Sequence, residues 1–192
     1  MSAREELLAA AAELFTTRGY TTTTTRALAE RAGMRQASMY HYVGGKEDLL
    51  AELLEGTVTP SLALARTLLA DTGRPAEARL WELCRWDAEL LCAGPYNLGA
   101  LYLLPEVASP RFTGFHEARA ALKSAYATLL SGTAPCAGLP AADLALRADL
   151  LFALIEGLIL ANRSTPAFAS AAADAALRVA GVPEEDLPDL RA

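Results

Sequence analysis

The apolar residues of this chain recur every three or four positions, which is the period of an amphipathic helix. Two short helical patterns follow one another, the first after Thr24 and the second from roughly Arg35 to Val43. The hydroxyl of Thr24 can cap the first helix. Between the two patterns, Gly33 can adopt positive φ without a Cβ clash, and Met34 can fill the angle between the helices. The pattern predicts a helix-turn-helix.

The rest of the chain carries longer helical patterns that proline and glycine separate, without the alternation that is typical of strands. We expect an all-α chain in which the helix-turn-helix lies within residues 1–46 and a larger helical part within 47–192. Further helices are predicted over roughly Lys46 to Ala70, Pro75 to Cys92, Asn97 to Leu104, Arg111 to Leu130, Ala141 to Arg163 and Pro166 to Ala180.

The outward side chains of the helix-turn-helix suit DNA. Arg35 can bond guanine with two hydrogen bonds and Gln36 can bond adenine in the same way, so both are candidates for reading bases. Hydroxyl, phenol and ammonium groups nearby suit phosphates, and His41 could serve either purpose. The predicted DNA contacts are Thr23, Thr24, Arg26, Arg35, Gln36, Ala37, Ser38, Tyr40, His41 and Lys46.

Residues 5–50 resemble the tetracycline-repressor (TetR) family of transcription regulators. The likeness rests on Leu28-Ala29, Ala32-Gly33-Met34, Ser38-Met39-Tyr40 and Lys46-Glu47-Asp48-Leu49-Leu50. Val43 departs from the usual phenylalanine, and Gly44-Gly45 replaces a pair that ends in a better helix cap. The resemblance implies a DNA-binding domain at 1–46, a ligand-binding and dimerisation domain at 47–192, and repression rather than activation.

The net charge of −6 lies entirely beyond residue 50, because the first fifty residues hold six basic and six acidic side chains. A neutral reading domain must gather its positive charge on one face. We therefore expect weak nonspecific affinity for DNA and a strong dependence on the sequence of the site.

Charged residues interrupt every long apolar stretch, including the amphipathic pattern that opens the chain. We expect neither a signal peptide nor a membrane span, and a cytoplasmic protein. Cys84, Cys92 and Cys136 form no C-x-x-C pair and lie far from both histidines in sequence. No metal site, disulfide or cofactor is predicted.

Asp87 falls on the apolar side of the helix predicted from Pro75 to Cys92, and a buried carboxyl needs a partner. The partner could be a polar or cationic effector, or else an arginine or a helix end of the protein. Arg119 interrupts another apolar face, so it could pair with Asp87 or line a pocket itself. The predicted ligand-binding residues are Trp81, Cys84, Asp87, Leu91, Tyr102, Phe115, Arg119 and Tyr126, although most of the aromatic ones could equally be core.

A single helix-turn-helix touches few base pairs, so reading an operator requires a two-fold dimer. The predicted helices near 141–163 and 166–180 are apolar nearly all round or rich in alanine, and Gly157 allows close approach. We expect a homodimer through these helices that binds a palindromic double-stranded DNA operator and that an unknown small-molecule effector releases.

The sequence also bears on two rival classes of function, an enzyme and a helical interaction protein. An enzyme is not expected, because the chain has no nucleophile elbow, phosphate loop or metal-ligand spacing. The alternative left open is a helical interaction protein of the same fold that has lost specific DNA binding, which the zero net charge of residues 1–50, Val43 and Gly44-Gly45 would permit.

Overall fold

A computed structural model of the protein describes residues 2–161 and 165–191. Within these ranges the chain forms eight α-helices and short 3-10 segments without any strand, which confirms the predicted all-α class. The helices are α1 (Ala3–Thr17), α2 (Thr25–Arg31), α3 (Gln36–Met39), α4 (Lys46–Ala70), α5 (Ala76–Cys92), α6 (Thr113–Ser131), α7 (Ala141–Gly157) and α8 (Pro166–Ala180).

The helix-turn-helix forms at the predicted residues. The Thr24 hydroxyl caps α2 by accepting a hydrogen bond from the backbone N–H of Ala27 at 3.1 Å. Gly33 takes φ +69°, a left-handed conformation that glycine adopts without steric cost, and the chain then turns into α3. The predicted helix bounds are too long here, because α3 makes a single turn and ends at Met39.

Two other predicted helices differ from the structure. Residues Leu98–Leu103 form a 3-10 segment rather than an α-helix, since Leu104 must be extended before Pro105. Helix α7 ends at Gly157 and continues as a 3-10 turn over Leu158–Leu160. The predicted end of that helix at Arg163 lies outside the described residues.

The chain divides into two compact units, and the division differs from the predicted boundary at residue 46. The first unit runs up to Thr57, within α4, and also includes Gly94–His116. The second unit comprises Val58–Ala93 and the chain from Glu117 onward. Residues 94–116 belong to the first unit because their side chains bond to it, as in the hydrogen bond from the Tyr96 hydroxyl to Glu13 at 3.0 Å.

Each unit has its own apolar core. In the first unit the core gathers large side chains from α1 to α4, among them Leu14, Leu28, Met39 and Leu50. In the second unit α8 packs against both α5 and α7. Small side chains such as Ala88, Ala169 and Ala172 cluster there and allow the helices to approach closely. No helix of the described residues combines the length and the apolar character that crossing a bilayer requires.

Candidate nucleic-acid interface and buried polar cluster

Helix α3 presents its polar side chains outward and anchors itself with one apolar side chain. Met39 is fully buried beneath it, while Arg35, Gln36 and Tyr40 are exposed. Ala37 and His41 are exposed on the same short stretch, which makes a small and mostly uncharged reading surface. This surface has the size and the donor and acceptor groups that fit a DNA major groove.

Thr25, which is not among the predicted DNA contacts, connects α2 to this surface. The side-chain amide of Gln36 donates to the hydroxyl oxygen of Thr25 at 2.9 Å. The Tyr40 hydroxyl donates to the same oxygen at 3.4 Å. A run of five threonines does not reveal which member faces the second helix. The cap at Thr24 carries that information, because it places Thr25 at the first position of α2.

The structure does not place the Thr23 side chain where the predicted phosphate contact requires it. Its side chain is buried, and its hydroxyl donates to the carbonyl of Gly19 at 2.8 Å, with the carbonyl of Leu14 at 3.3 Å. The hydroxyl is therefore committed to holding the end of α1 against the start of α2. Thr24 is exposed beside it and remains a candidate for a phosphate contact.

Lys46 also lies differently from the expectation. Its half-buried ammonium donates to the carbonyl of Tyr20 at 3.0 Å and to those of Thr23 and Thr21 at 3.3 and 3.5 Å. The same group lies 4.3 Å from the centre of the Tyr20 ring, a distance at which the ring attracts a cation. In this structure Lys46 ties the start of α4 to the segment that precedes α2.

The basic side chains of α2 are paired with carboxylates. Arg26 bonds Glu30 one turn along the same helix at 2.8 Å, and Arg31 bonds Glu13 of α1. Both members of the Arg26–Glu30 pair are well exposed, so the pair contributes little to stability and can exchange for a phosphate. The pairing explains how a reading domain of zero net charge still presents arginines at its surface.

In the second unit, the predicted burial of Asp87 is confirmed. Only 2% of Asp87 is exposed, and its carboxylate accepts hydrogen bonds from the hydroxyls of Ser61 at 2.8 Å and Tyr126 at 3.0 Å. Burial raises the pKa of Asp87 to about 6, although these two hydrogen bonds act in the opposite direction. We refer to Ser61, Asp87 and Tyr126 as the acid cluster.

The partners of Asp87 are hydroxyls of α4 and α6, not the arginine or helix end that the sequence suggested. Arg119 instead forms a two-pronged ion pair with Glu156 and lies 5.2 Å from the centre of the Phe152 ring. The Phe152 ring also packs edge-on against that of Tyr126. The Phe152 ring therefore contacts both the Arg119 guanidinium and the ring of Tyr126 in the acid cluster, and Arg119 is not the hydrogen-bond partner of Asp87.

The remaining predicted ligand-binding residues do not all come together. Cys84 is buried beside the acid cluster, and burial raises the pKa of its thiol well above the ordinary value, which disfavours thiol sensing. The Trp81 indole donates to Asp174 at 2.9 Å, and Leu91 is buried on the same helix. Tyr102 and Phe115 pack against each other with ring centres 4.9 Å apart, but both belong to the first unit.

An open cleft of about 450 Å³ in the second unit shares no residue with the predicted ligand set. It is lined by Glu77, Ala134, Pro135, Gly181, Val182, Pro183, Asp186, Asp189 and Leu190. The lining residues come from separate segments of the chain, so the periodicity of the sequence does not predict this cleft. Within the described ranges, no three His, Cys, Asp or Glu side chains come together as a metal site would require.

Comparison with known protein families gives a match over residues 7–53 to the family described as bacterial regulatory proteins, tetR family. The crystal structure of Mycobacterium smegmatis AmtR is 45% identical, with a TM-score of 0.89, and the alignment covers 99% of this chain and 91% of that one. The ketosteroid transcriptional regulator KstR2 of Mycobacterium tuberculosis is 26% identical, with a TM-score of 0.75 and 94% of each chain covered.

Among curated proteins, the HTH-type transcriptional repressor KstR2 of Mycobacterium tuberculosis strain H37Rv is 40% identical over 76 residues. That match covers 40% of this chain and 38% of the length of the repressor. The similarity in sequence to this repressor is therefore concentrated in part of the chain, whereas the similarity to AmtR extends over nearly all of it.

Replacing Lys46 with methionine should destabilise the protein. The change keeps the apolar stem but removes the ammonium that three carbonyls share, and we expect the free energy of unfolding to fall by about 1 to 2 kcal/mol. Urea unfolding at fixed salt measures the loss. Arg66→Met, at an exposed position of the same helix, is the control and should change little. Equal losses in the two variants would contradict the structural role of Lys46.

Asp87 should make stability depend on pH. Its carboxyl holds a proton to higher pH in the folded chain than in the unfolded chain, so the unfolded state binds fewer protons between about pH 4 and pH 6. The free energy of unfolding should therefore fall as pH rises through this window, by about 2 to 3 kcal/mol, and stay lowered above it.

Urea unfolding of wild type and Asp87→Asn across pH 4 to 7 tests this dependence. The difference in stability between the two proteins should shift by that amount between the ends of the window. Asp189→Asn, which changes an exposed carboxyl, should keep the wild-type profile. Parallel profiles for wild type and Asp87→Asn would show that Asp87 does not titrate in this range.

Proposed function

Because the chain belongs to the TetR family of bacterial transcriptional regulators, we propose that it is a repressor that binds a palindromic operator as a homodimer and is released by a small-molecule effector. The observation that carries the proposal is the exposed, polar face of α3, a helix whose one buried residue is Met39. The relative KstR2 is a transcriptional repressor, which supports repression rather than activation here.

In this proposal the reading surface divides into base contacts and phosphate contacts. Arg35 and Gln36 read base edges in the major groove, and the small side chains of Ala37 and Ser38 let α3 lie deep enough for them to reach. Backbone phosphates are bound by the side chains that surround α3, namely Thr24, Arg26, Tyr40 and His41. Thr23 and Lys46 instead hold the segment between α1 and α2 in place.

The outer face of α7 supports the homodimer. Leu146 and Leu150 are 59% and 53% exposed, and Leu160 in the following 3-10 turn is 74% exposed. Together with the exposed Ala153 and Gly157 they recur at intervals of four and three residues, the spacing of a coiled-coil seam. Leucines exposed in such a row are typical of a surface that another subunit covers, and the small residues allow close approach.

The effector is proposed to act in the second unit. A group that donates hydrogen bonds could replace the hydroxyl of Ser61 or Tyr126 on Asp87, and the apolar side chains around the cluster suit an effector with an apolar body. Helix α4 contributes Ser61 to the second unit and Lys46 to the first. By linkage, effector and operator must weaken each other's binding by the same factor.

Selection of bound duplexes from a random DNA pool should enrich a palindrome. Arg35→Ala should then weaken the preference for one base in each half-site by about 1 to 3 kcal/mol, because the bidentate contact is lost. Arg66→Ala removes the same charge at an exposed position outside α3 and should leave the preference unchanged. Absence of enrichment with the wild-type protein would favour a helical interaction protein that has lost specific DNA binding.

The dimer is tested by introducing a charge into the seam. Leu150→Glu should convert a dimer into a monomer, because two buried carboxylates would face each other across the two-fold axis. Analytical ultracentrifugation measures the mass. Leu103→Glu changes a leucine that is 70% exposed in the first unit and should remain dimeric. A wild-type monomer, or a Leu150→Glu dimer as stable as wild type, would contradict this interface.

A further inference from the structure

We propose that Thr25 is a positioning residue for base readout: its hydroxyl holds the amide of Gln36 in the orientation that recognises adenine. The inference rests on the proposed DNA-binding function and assigns the residue that sets the preference at one base of each half-site. The observation behind it is the hydrogen bond from Gln36 to Thr25 at 2.9 Å, which crosses the turn between α2 and α3.

The position of Thr25 is itself well determined. It is the first residue of α2, directly after the cap that Thr24 forms with the N–H of Ala27. Its side chain is half-buried and branched at Cβ, which restricts its rotation. A threonine hydroxyl can accept two hydrogen bonds and donate one. Here the oxygen accepts from Gln36 and, at 3.4 Å, from the Tyr40 hydroxyl.

The bond engages one N–H of Gln36, and the amide groups that remain free determine which base edge the side chain can recognise. A glutamine amide has two N–H donors and one carbonyl acceptor. When one N–H of Gln36 points back to Thr25, the other N–H and the carbonyl oxygen remain for the DNA. That pair of one donor and one acceptor complements N7 and the N6 amino group of adenine. The opposite orientation would place the carbonyl oxygen against the Thr25 hydroxyl and present two donors, which suit guanine.

The bond also restricts the flexibility of the side chain. Gln36 is exposed on α3, where its side chain would otherwise sample several rotamers. Ordering a flexible side chain on binding costs free energy. A contact that orders Gln36 beforehand therefore strengthens its binding to the base that this orientation recognises. Thr25 therefore acts on specificity through Gln36 without touching a base.

The test compares three full-length variants on the operator that the wild-type protein selects and on duplexes substituted at each base pair. Thr25→Val keeps the shape and the Cβ branch but removes the hydroxyl, and it should lower the preference for adenine at one position per half-site roughly 2- to 10-fold. Preferences at other positions should not change. Thr25→Ser restores the hydroxyl and should restore the preference.

Gln36→Ala supplies the coupling test. It should remove the same preference, and Thr25→Val added to it should have no further effect on base preference, because the two residues act through one contact. Thermal unfolding of Thr25→Val should match that of wild type, which separates a change in readout from a change in folding.

Two results would overturn the proposal while leaving the DNA-binding function intact. One is a uniform loss of affinity in Thr25→Val on all duplexes, with a shallower salt dependence, which would make Thr25 a phosphate contact only. The other is an effect of Thr25→Val on preference that persists in the Gln36→Ala background. A wild-type protein that selects no operator would overturn this proposal together with the proposed function.

Discussion

The structure depends on holding in place a reading helix that is only one turn long. Helix α3 spans Gln36–Met39, and so short a helix is not stable by itself. Met39 fixes it from below, and the ammonium of Lys46 fixes the surrounding segment by gathering the carbonyls of Tyr20, Thr21 and Thr23. The side chains that could touch DNA are thus few, and in the proposed function their placement depends on the groups that hold α3 and the segment before α2.

In the second unit, as around Lys46, a polar group away from solvent is stabilised by hydrogen bonds within the protein. A buried polar group must be satisfied, and the carboxylate of Asp87 is satisfied by two hydroxyls instead of a cation. This leaves an acid that is costly to keep charged, as its raised pKa shows. In the proposed function, an effector that is a better partner for Asp87 would favour whichever arrangement of α4, α5 and α6 accommodates it.

The sequence predicts features that depend on local periodicity and on single residues with strong backbone preferences. The cap at Thr24, the left-handed turn at Gly33, the bounds of α4 and α8 and the burial of Asp87 all follow from such signals. The partners of side chains do not follow, since they depend on how distant segments pack. Asp87 bonds residues 26 and 39 positions away, which no helical wheel reveals. Assignment of the phosphate contact to Thr23 failed because only tertiary packing distinguishes it from its neighbours.

The most direct test of the account is a crystal structure of the full chain bound to the duplex that it selects. The account predicts two copies on one palindrome, with α3 of each in the major groove and the Gln36 amide on an adenine while it still donates to Thr25. A complex in which another surface contacts the DNA, or in which Gln36 reaches no base, would contradict it.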